Sequence, residues 1–372
     1  MLAHFYWNPP RELFYIPGLN IPIFFYSIFF AIGFAVGYYI FLYILRLFFL
    51  NYYTFTKKDI VDEKLFIKSI NESDLFKSKT STLNDALGRL NNLYEEKKVS
   101  DVLSKIKDEK YKKKLLLNNK VCNFLDYHKS LIRAYLESFF TKSMLTSKAK
   151  ALLITDKFTI WMIISTLIGA RLGHIIFYED LSYFLKNPLK IIKVWEGGLA
   201  SHGATVAIII MIICFSKYLK KYSPKISFLN LLDIVSIPTA LAGFCIRIGN
   251  FFNQEILGVP TNSFLGVVFG RPADGSFPIP RHPVQLYEAV FYLLTFILLF
   301  WLGRKAKVLL VQGKLIGLFF ILIYGFRFFV EFFKEKQSLL ISGKGLLMGQ
   351  YLSIPFVLLG IILVFISKIR SK

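Results

Sequence analysis

The segment Arg247-Ile-Gly-Asn-Phe-Phe-Asn-Gln-Glu255 sets a guanidinium, two carboxamides and a carboxylate against the end of an apolar run over 226–246. That run is long enough to cross a bilayer, which takes about 20 residues. Charges at its end are costly in lipid and usually face a wet or ligand-filled interior. If the helix continues past 246, Arg247, Asn250 and Asn253 fall three residues apart on one stripe. A guanidinium fork flanked by amides suits an anionic, oxygen-rich ligand such as a phosphate. Read alone, Arg247 fits equally well a side chain that snorkels to the headgroups.

Further polar residues interrupt or border the other apolar runs. Gly169-Ala-Arg-Leu-Gly173 places Arg171 inside a run, between glycines that let a second helix or a headgroup come close. Val194-Trp-Glu-Gly-Gly-Leu-Ala-Ser-His-Gly203 brings His202 to the mouth of the next run. Arg281-His-Pro-Val-Gln-Leu-Tyr-Glu288 opens another, with Pro283 suited to a first helical turn and Gln285 and Glu288 on one face. Arg327 and Glu331 stand at i,i+4, the spacing of a self-neutralising ion pair. Each of these has a structural explanation by itself. Together they give one membrane bundle at least four arginines, two histidines and several carboxylates, which a structural role does not accommodate.

The elements that must carry these residues are apolar helices. Of 372 residues 55% are hydrophobic and 39 are Phe, and the mean hydropathy is +0.51, outside the range of a soluble domain. The pattern predicts an all-α polytopic membrane protein with about seven spans, near 21–50, 152–178, 200–216, 226–247, 284–303, 314–333 and 346–367. Residues 1–20 carry Trp7, Pro9, Pro10 and Glu12 ahead of any apolar run, so no cleavable signal is expected and the first run is kept as a span. Cys122, Cys214 and Cys245 show neither paired nor metal-ligand spacing.

The net charge of +22 is distributed as a topology signal, and nucleic acid is not an expected partner. Lysines gather in 54–150, in Lys217–Lys221, in Arg304–Lys307 and in the tail Lys368–Lys372, segments that an odd span count puts on one side. The positive-inside rule then puts the N-terminus outside and the C-terminus in the cytoplasm. Loops 179–199, 248–283 and 334–345 fall outside. The basic faces could also contact anionic membrane lipid. Three segments follow: 1–53 with the first span, a basic cytoplasmic insertion over 54–150, and a membrane core over 151–372. In the insertion, Leu83–Tyr94 and Val121–Phe140 show helical apolar spacing.

The strings at 169–173, 194–203, 247–258, 281–288, 327–333 and 349–355 occur in the order of, and resemble, those of the prolipoprotein diacylglyceryl transferase family. The resemblance covers span one and 151–372. It implies transfer of the diacylglyceryl group of phosphatidylglycerol to the lipobox cysteine of a bacterial prolipoprotein signal peptide, at the cytoplasmic (inner) membrane. No metal or organic cofactor is implied. By position, His202 matches the family's essential histidine, a candidate base for the thiol or a group that orients the headgroup. Arg247 and Arg327 match the two arginines that hold the phosphate. Asn250, Asn253, Glu255 and Gly258 match the rest of the signature, and Tyr26 a tyrosine used nearby. Glu331 is expected to hold Arg327, and Arg171, His282, Gln285, Tyr287 and Glu288 to line or support the site.

The chain departs from the family pattern at Ile246 and His174, where glycine and tyrosine are usual, and Tyr324 is one residue out of register. The insertion has no counterpart in short family members. A transporter or channel for an anionic solute would also need buried arginines, but the halves 1–186 and 187–372 show no repeat of the kind such folds carry. A transferase for another phospholipid headgroup would use the same clamp.

Overall fold

The computed structural model describes residues 4–18, 21–52, 55–73, 76, 79–95, 133–134, 136–193, 198, 200–220, 226–335 and 346–370. Most of the expected helical stretch Val121–Phe140, namely 121–132 and 135, lies outside them, as do the motif residues Val194, Trp195, Glu196, Gly197 and Leu199. Long helices dominate: α1 (Phe25–Tyr52), α2 (Glu63–Glu72), α3 (Leu83–Glu95), α4 (Ser147–Tyr178), α5 (Ser201–Leu219), α6 (Phe228–Asn253), α7 (Val284–Gly303), α8 (Lys314–Val330) and α9 (Met348–Arg370). Among the described residues six of these, α1, α4, α6, α7, α8 and α9, are long and apolar enough to cross a membrane, and the apolar helix Gly203–Leu219 is shorter. Large apolar side chains such as Ile160, Ile168, Leu294 and Phe365 are more than half exposed. A helix that meets acyl chains has no reason to hide them.

Chain contacts divide the protein into two units, one of 1–41 and 233–372, the other of 42–232. The described residues of the first unit include five short strands. β1 (Phe5–Trp7) pairs in parallel with β4 (Val267–Phe269), which pairs antiparallel with β5 (Pro280–Arg281); β2 (Glu12–Ile16) and β3 (Ile21–Phe24) form a hairpin. The first span therefore begins at Phe25, four residues later than the apolar run suggests, because Ile21–Phe24 finds backbone partners in the preceding strand. Trp7 stacks on Phe251 at 4.7 Å and donates its indole N–H to the Phe251 carbonyl at 3.1 Å. The N-terminal strap thus pins the last turn of α6. That helix runs to Asn253, so the outer loop expected from 248 starts at Gln254.

The start of α8 is held by a neighbouring helix. Buried Asp233 of α6 accepts the Gly313 N–H at 2.6 Å and the Ile316 N–H at 2.8 Å. A helix start leaves such N–H groups without partners of its own, and a carboxylate there also complements the helix dipole. This contact fixes the depth of α8, which carries Arg327 near its other end.

In the second unit α4 crosses α5 through glycines. A Cβ on Gly203 would sit 2.2 Å from the Gly169 carbonyl and 2.6 Å from the Gly173 Cα, so only glycine permits this approach. The crossing sets the first turn of α5, where His202 is the second residue. The insertion builds its own core from Phe66 and Ile70 of α2, Leu87 and Leu90 of α3, and Phe140 and Met144. Two buried ion pairs tie it to the base of α4: Asp59 meets Lys150 at 2.6 Å, and Glu137 takes Arg133 at 2.9 Å and the Ser147 hydroxyl at 2.5 Å.

Candidate active site

The extension of α6 by two turns aligns the signature residues. Arg247 donates to Asn250 Oδ1 at 3.1 Å, Asn250 donates to Glu255 Oε2 at 3.0 Å, and Asn253 donates to Glu255 Oε1 at 3.0 Å. Glu255 folds back because the chain turns sharply after the helix, with Gln254 and Ile256 at φ 56° and 55°. Both values lie in the left-handed region, which a β-branched residue such as isoleucine rarely occupies. Tyr26, on the first turn of α1, packs over Gly249 and is close enough to interact electrostatically with both Glu255 and Arg247.

Behind this stripe lies a fully buried carboxylate. Glu288 of α7 has Arg247 Nε at 2.8 Å on one oxygen and Lys334 Nζ at 2.9 Å on the other. The Arg247 contact is an ion pair without hydrogen-bond alignment. Tyr292, one turn along α7, is 5% exposed, stands 6.0 Å from the Arg247 guanidinium, and feels Arg327 as well. It therefore links the two arginines. Gln285 donates to the Glu255 carbonyl at 2.6 Å and so fixes the turn that bears the carboxylate.

Glu331 does not meet Arg327 in the expected i,i+4 pair. At Glu331 the α-helix tightens into a 3-10 turn over Glu331–Phe333, which brings residue i+3 alongside, and Lys334 Nζ stands 3.6 Å from the Glu331 carboxylate. Glu331 also accepts the Gly349 N–H at 3.2 Å. Arg327 Nε is buried and has no hydrogen-bond partner among the described residues. A buried guanidinium N–H without a partner is costly, and an anion beside it would remove that cost.

Gly258 is pressed between two segments. A Cβ there would meet the His282 carbonyl at 2.3 Å and the Phe333 carbonyl at 2.9 Å. It pairs with Lys334 as an isolated β-bridge and so joins the signature turn to the end of α8. Its carbonyl accepts from Arg281 at 3.3 Å, and Arg281 also pairs with Glu335. His282 Nδ1 lies 3.1 Å from the Tyr287 hydroxyl, and burial lowers the imidazole pKa from its ordinary value.

In the second unit Arg171 is buried and directs its guanidinium to the backbone carbonyls of Lys190 at 2.7 Å, Ile191 at 3.1 Å and Gly198 at 3.3 Å. That arrangement staples the loop ahead of α5. His174, the departure from the family pattern, meets Glu179 at 3.1 Å.

Sequence reasoning missed Lys334 and Tyr292. Lys334 opens the loop 334–345 expected outside, and its signal in the sequence is the i+3 spacing from Glu331. Tyr292 sits in an apolar run among other aromatics and carries no signal of its own. The charged trio suggests a direct test. Glu288→Ala should lower the stability of the purified protein by about 3–5 kcal/mol, because it takes the shared carboxylate from half-buried Arg247 and leaves buried Lys334 with only the longer contact to Glu331. A thermal midpoint within a degree or two of the parent would show that the charges are not mutually dependent. Adding Lys334→Met should recover part of the loss.

A family model described as prolipoprotein diacylglyceryl transferase matches residues 131–366. A phosphatidylglycerol–prolipoprotein diacylglyceryl transferase of Protochlamydia amoebophila is 40% identical over 364 residues, 98% of this chain and 95% of that protein. With so little left unmatched, that alignment must include most of the insertion. Proteins of the same name from Tolumonas auensis (45% over 212 residues) and Chlamydia pneumoniae (38% over 227) cover 57% and 61% of this chain, and each match takes in 78% of the relative. This chain belongs to the prolipoprotein diacylglyceryl transferase family.

Proposed function

We propose that this chain moves the diacylglyceryl group of phosphatidylglycerol onto the lipobox cysteine thiol of a prolipoprotein signal peptide, at the outer face of a bacterial cytoplasmic membrane. The observation that carries the reading is the half-buried Arg247–Asn250–Glu255 stripe together with Arg327, which shares Tyr292 with Arg247 and whose Nε has no hydrogen-bond partner among the described residues. The names of the relatives supply the lipid and the acceptor class.

The chemistry is a displacement at carbon. The thiolate attacks the glyceryl carbon that bears the phosphate, a C–S bond forms, and the C–O bond to phosphate breaks. Glycerol phosphate leaves with one more negative charge than it had in the diester. Fixed guanidinium groups aimed at that growing charge stabilise the transition state more than the ground state. Arg247 and Arg327 take this role, and Glu288 and Tyr292 hold Arg247 in place. Tyr26, Asn250, Asn253, Glu255 and Gly258 shape the headgroup pocket, while His282, Gln285, Tyr287 and Glu331 brace it. Arg171 supports the loop before His202, and His202 takes the thiol proton.

The test is incubation of the purified protein with labelled phosphatidylglycerol and a lipobox peptide, followed by mass analysis. The peptide should gain one diacylglyceryl group on its cysteine, and an unmodified peptide would sink the reading. The lysine distribution further predicts that a cysteine introduced near Lys98 is shielded from an impermeant reagent in cells with an opened outer barrier. Labelling there would reverse the orientation.

A further inference from the structure

The aqueous end of α6 opens onto a cavity that the phosphate reading does not use. It has a volume of about 430 Å³, and Gln254, Glu255, Asp274 and Glu335 supply its polar wall. Glu255 belongs to both places: it accepts from Asn250 and Asn253, and Asn250 in turn takes Arg247. The cavity therefore begins where the guanidinium stripe ends. A phosphodiester at Arg247 that extends past Glu255 would enter it.

The wall is built to receive hydroxyl groups. Asp274 gives one oxygen to the Ser276 N–H at 3.0 Å, and Glu335 uses part of its capacity on Arg281. A carboxylate has about four acceptor sites, so both retain acceptors toward the cavity. Gln254 is 1% exposed; its Oε1 accepts the Arg271 N–H at 2.7 Å, but its Nε2 has no hydrogen-bond partner among the described residues. A buried amide with an unmet donor is uncommon and calls for a ligand. Three carboxylates would repel a second phosphate, and an apolar group would leave the wall unsatisfied. A neutral diol meets both demands, since it donates to carboxylates and accepts from an amide. Acidic side chains bind adjacent sugar hydroxyls elsewhere in this way. The lipid in the relatives' names ends in such a diol.

We propose that this cavity is the subsite for the terminal vicinal diol of the donor lipid headgroup, with Asp274, Glu335 and Gln254 selecting hydroxyl-bearing headgroups. The inference rests on the transferase reading above.

The experiment compares phosphatidylglycerol, phosphatidylpropanol and phosphatidylethanolamine as donors to a lipobox peptide, using the full-length protein. Binding of the short-chain forms of the same lipids is measured alongside. The parent protein should prefer phosphatidylglycerol to phosphatidylpropanol by about tenfold or more, the scale of one or two hydrogen bonds to charged groups. In Asp274→Asn and Glu335→Gln that ratio should fall toward one, in transfer and in binding alike. Equal use of phosphatidylglycerol and phosphatidylpropanol by the parent would overturn the diol subsite while leaving the transferase reading intact. Preference for phosphatidylethanolamine would overturn it in favour of an ammonium site. If no lipid is transferred, the transferase reading fails, and the binding ratio alone decides the diol subsite.

Discussion

Arg327→Ala is expected to cut transfer by about three orders of magnitude while the protein remains folded. Loss of a single charge-stabilising donor in a dry site already costs about 10²–10³ in rate, and a guanidinium aimed at a leaving phosphate supplies more than one. Arg327 has no ion-pair partner among the described residues whose charge its removal would strand, so yield and thermal midpoint should change little. Arg247→Ala should lose activity to a similar degree but also lose stability, because Glu288 then keeps only Lys334. Lysine should rescue poorly at either position, since a point charge cannot reproduce the planar fork. Near-normal transfer by purified Arg327→Ala would remove the clamp from the mechanism. A thermal midpoint for Arg247→Ala equal to that of Arg327→Ala would contradict the coupling to Glu288.

The loss expected for His202→Gln is about two to four orders of magnitude, the usual scale for a general base. The acceptor thiol has an unperturbed pKa of about 8.5, so only a few per cent is thiolate at neutral pH. An imidazole with an ordinary pKa of about 6.5 is neutral there and can take the proton. As pH rises toward the thiol pKa, more thiolate forms unaided and the mutant deficit should shrink. Lipid binding should change far less than in the arginine variants. A deficit that does not vary with pH and comes with lost lipid binding would make His202 a headgroup ligand.

Much of this was legible because membrane proteins write their constraints in simple terms. A lipid solvent demands runs of about 20 apolar residues, and a charge inside such a run has to have a use. Hence the spans expected near 152–178, 284–303 and 314–333 match helices Ser147–Tyr178, Val284–Gly303 and Lys314–Val330 to within a few residues at their ends. The ends of the elements were less visible. Ile21–Phe24 is as apolar as a helix start, and only pairing with β2 makes it a strand. The helix through Asn253 was conditional in the sequence, since Trp7, which pins its last turn, lies 244 residues away.

The sequence by itself determined the bundle, the family and the list of groups able to handle a phosphate and a thiol. Periodicity and residue type report the solvent around each segment and the chemistry available to it. Partner choice was left to the tertiary structure. Arg327 and Glu331 have ideal spacing for an ion pair, yet a 3-10 turn gives Glu331 to Lys334 and leaves Arg327 Nε without a partner among the described residues. Glu288 shares a helical face with Gln285 but bonds to residues 41 positions before it and 46 after it. A buried charge takes whatever opposite charge the packing brings within about 3 Å, because in a low dielectric that contact outweighs any local preference. Which charges meet is set by how deeply each helix sits, and that depth depends on contacts distant in sequence, such as Asp233 at the head of α8.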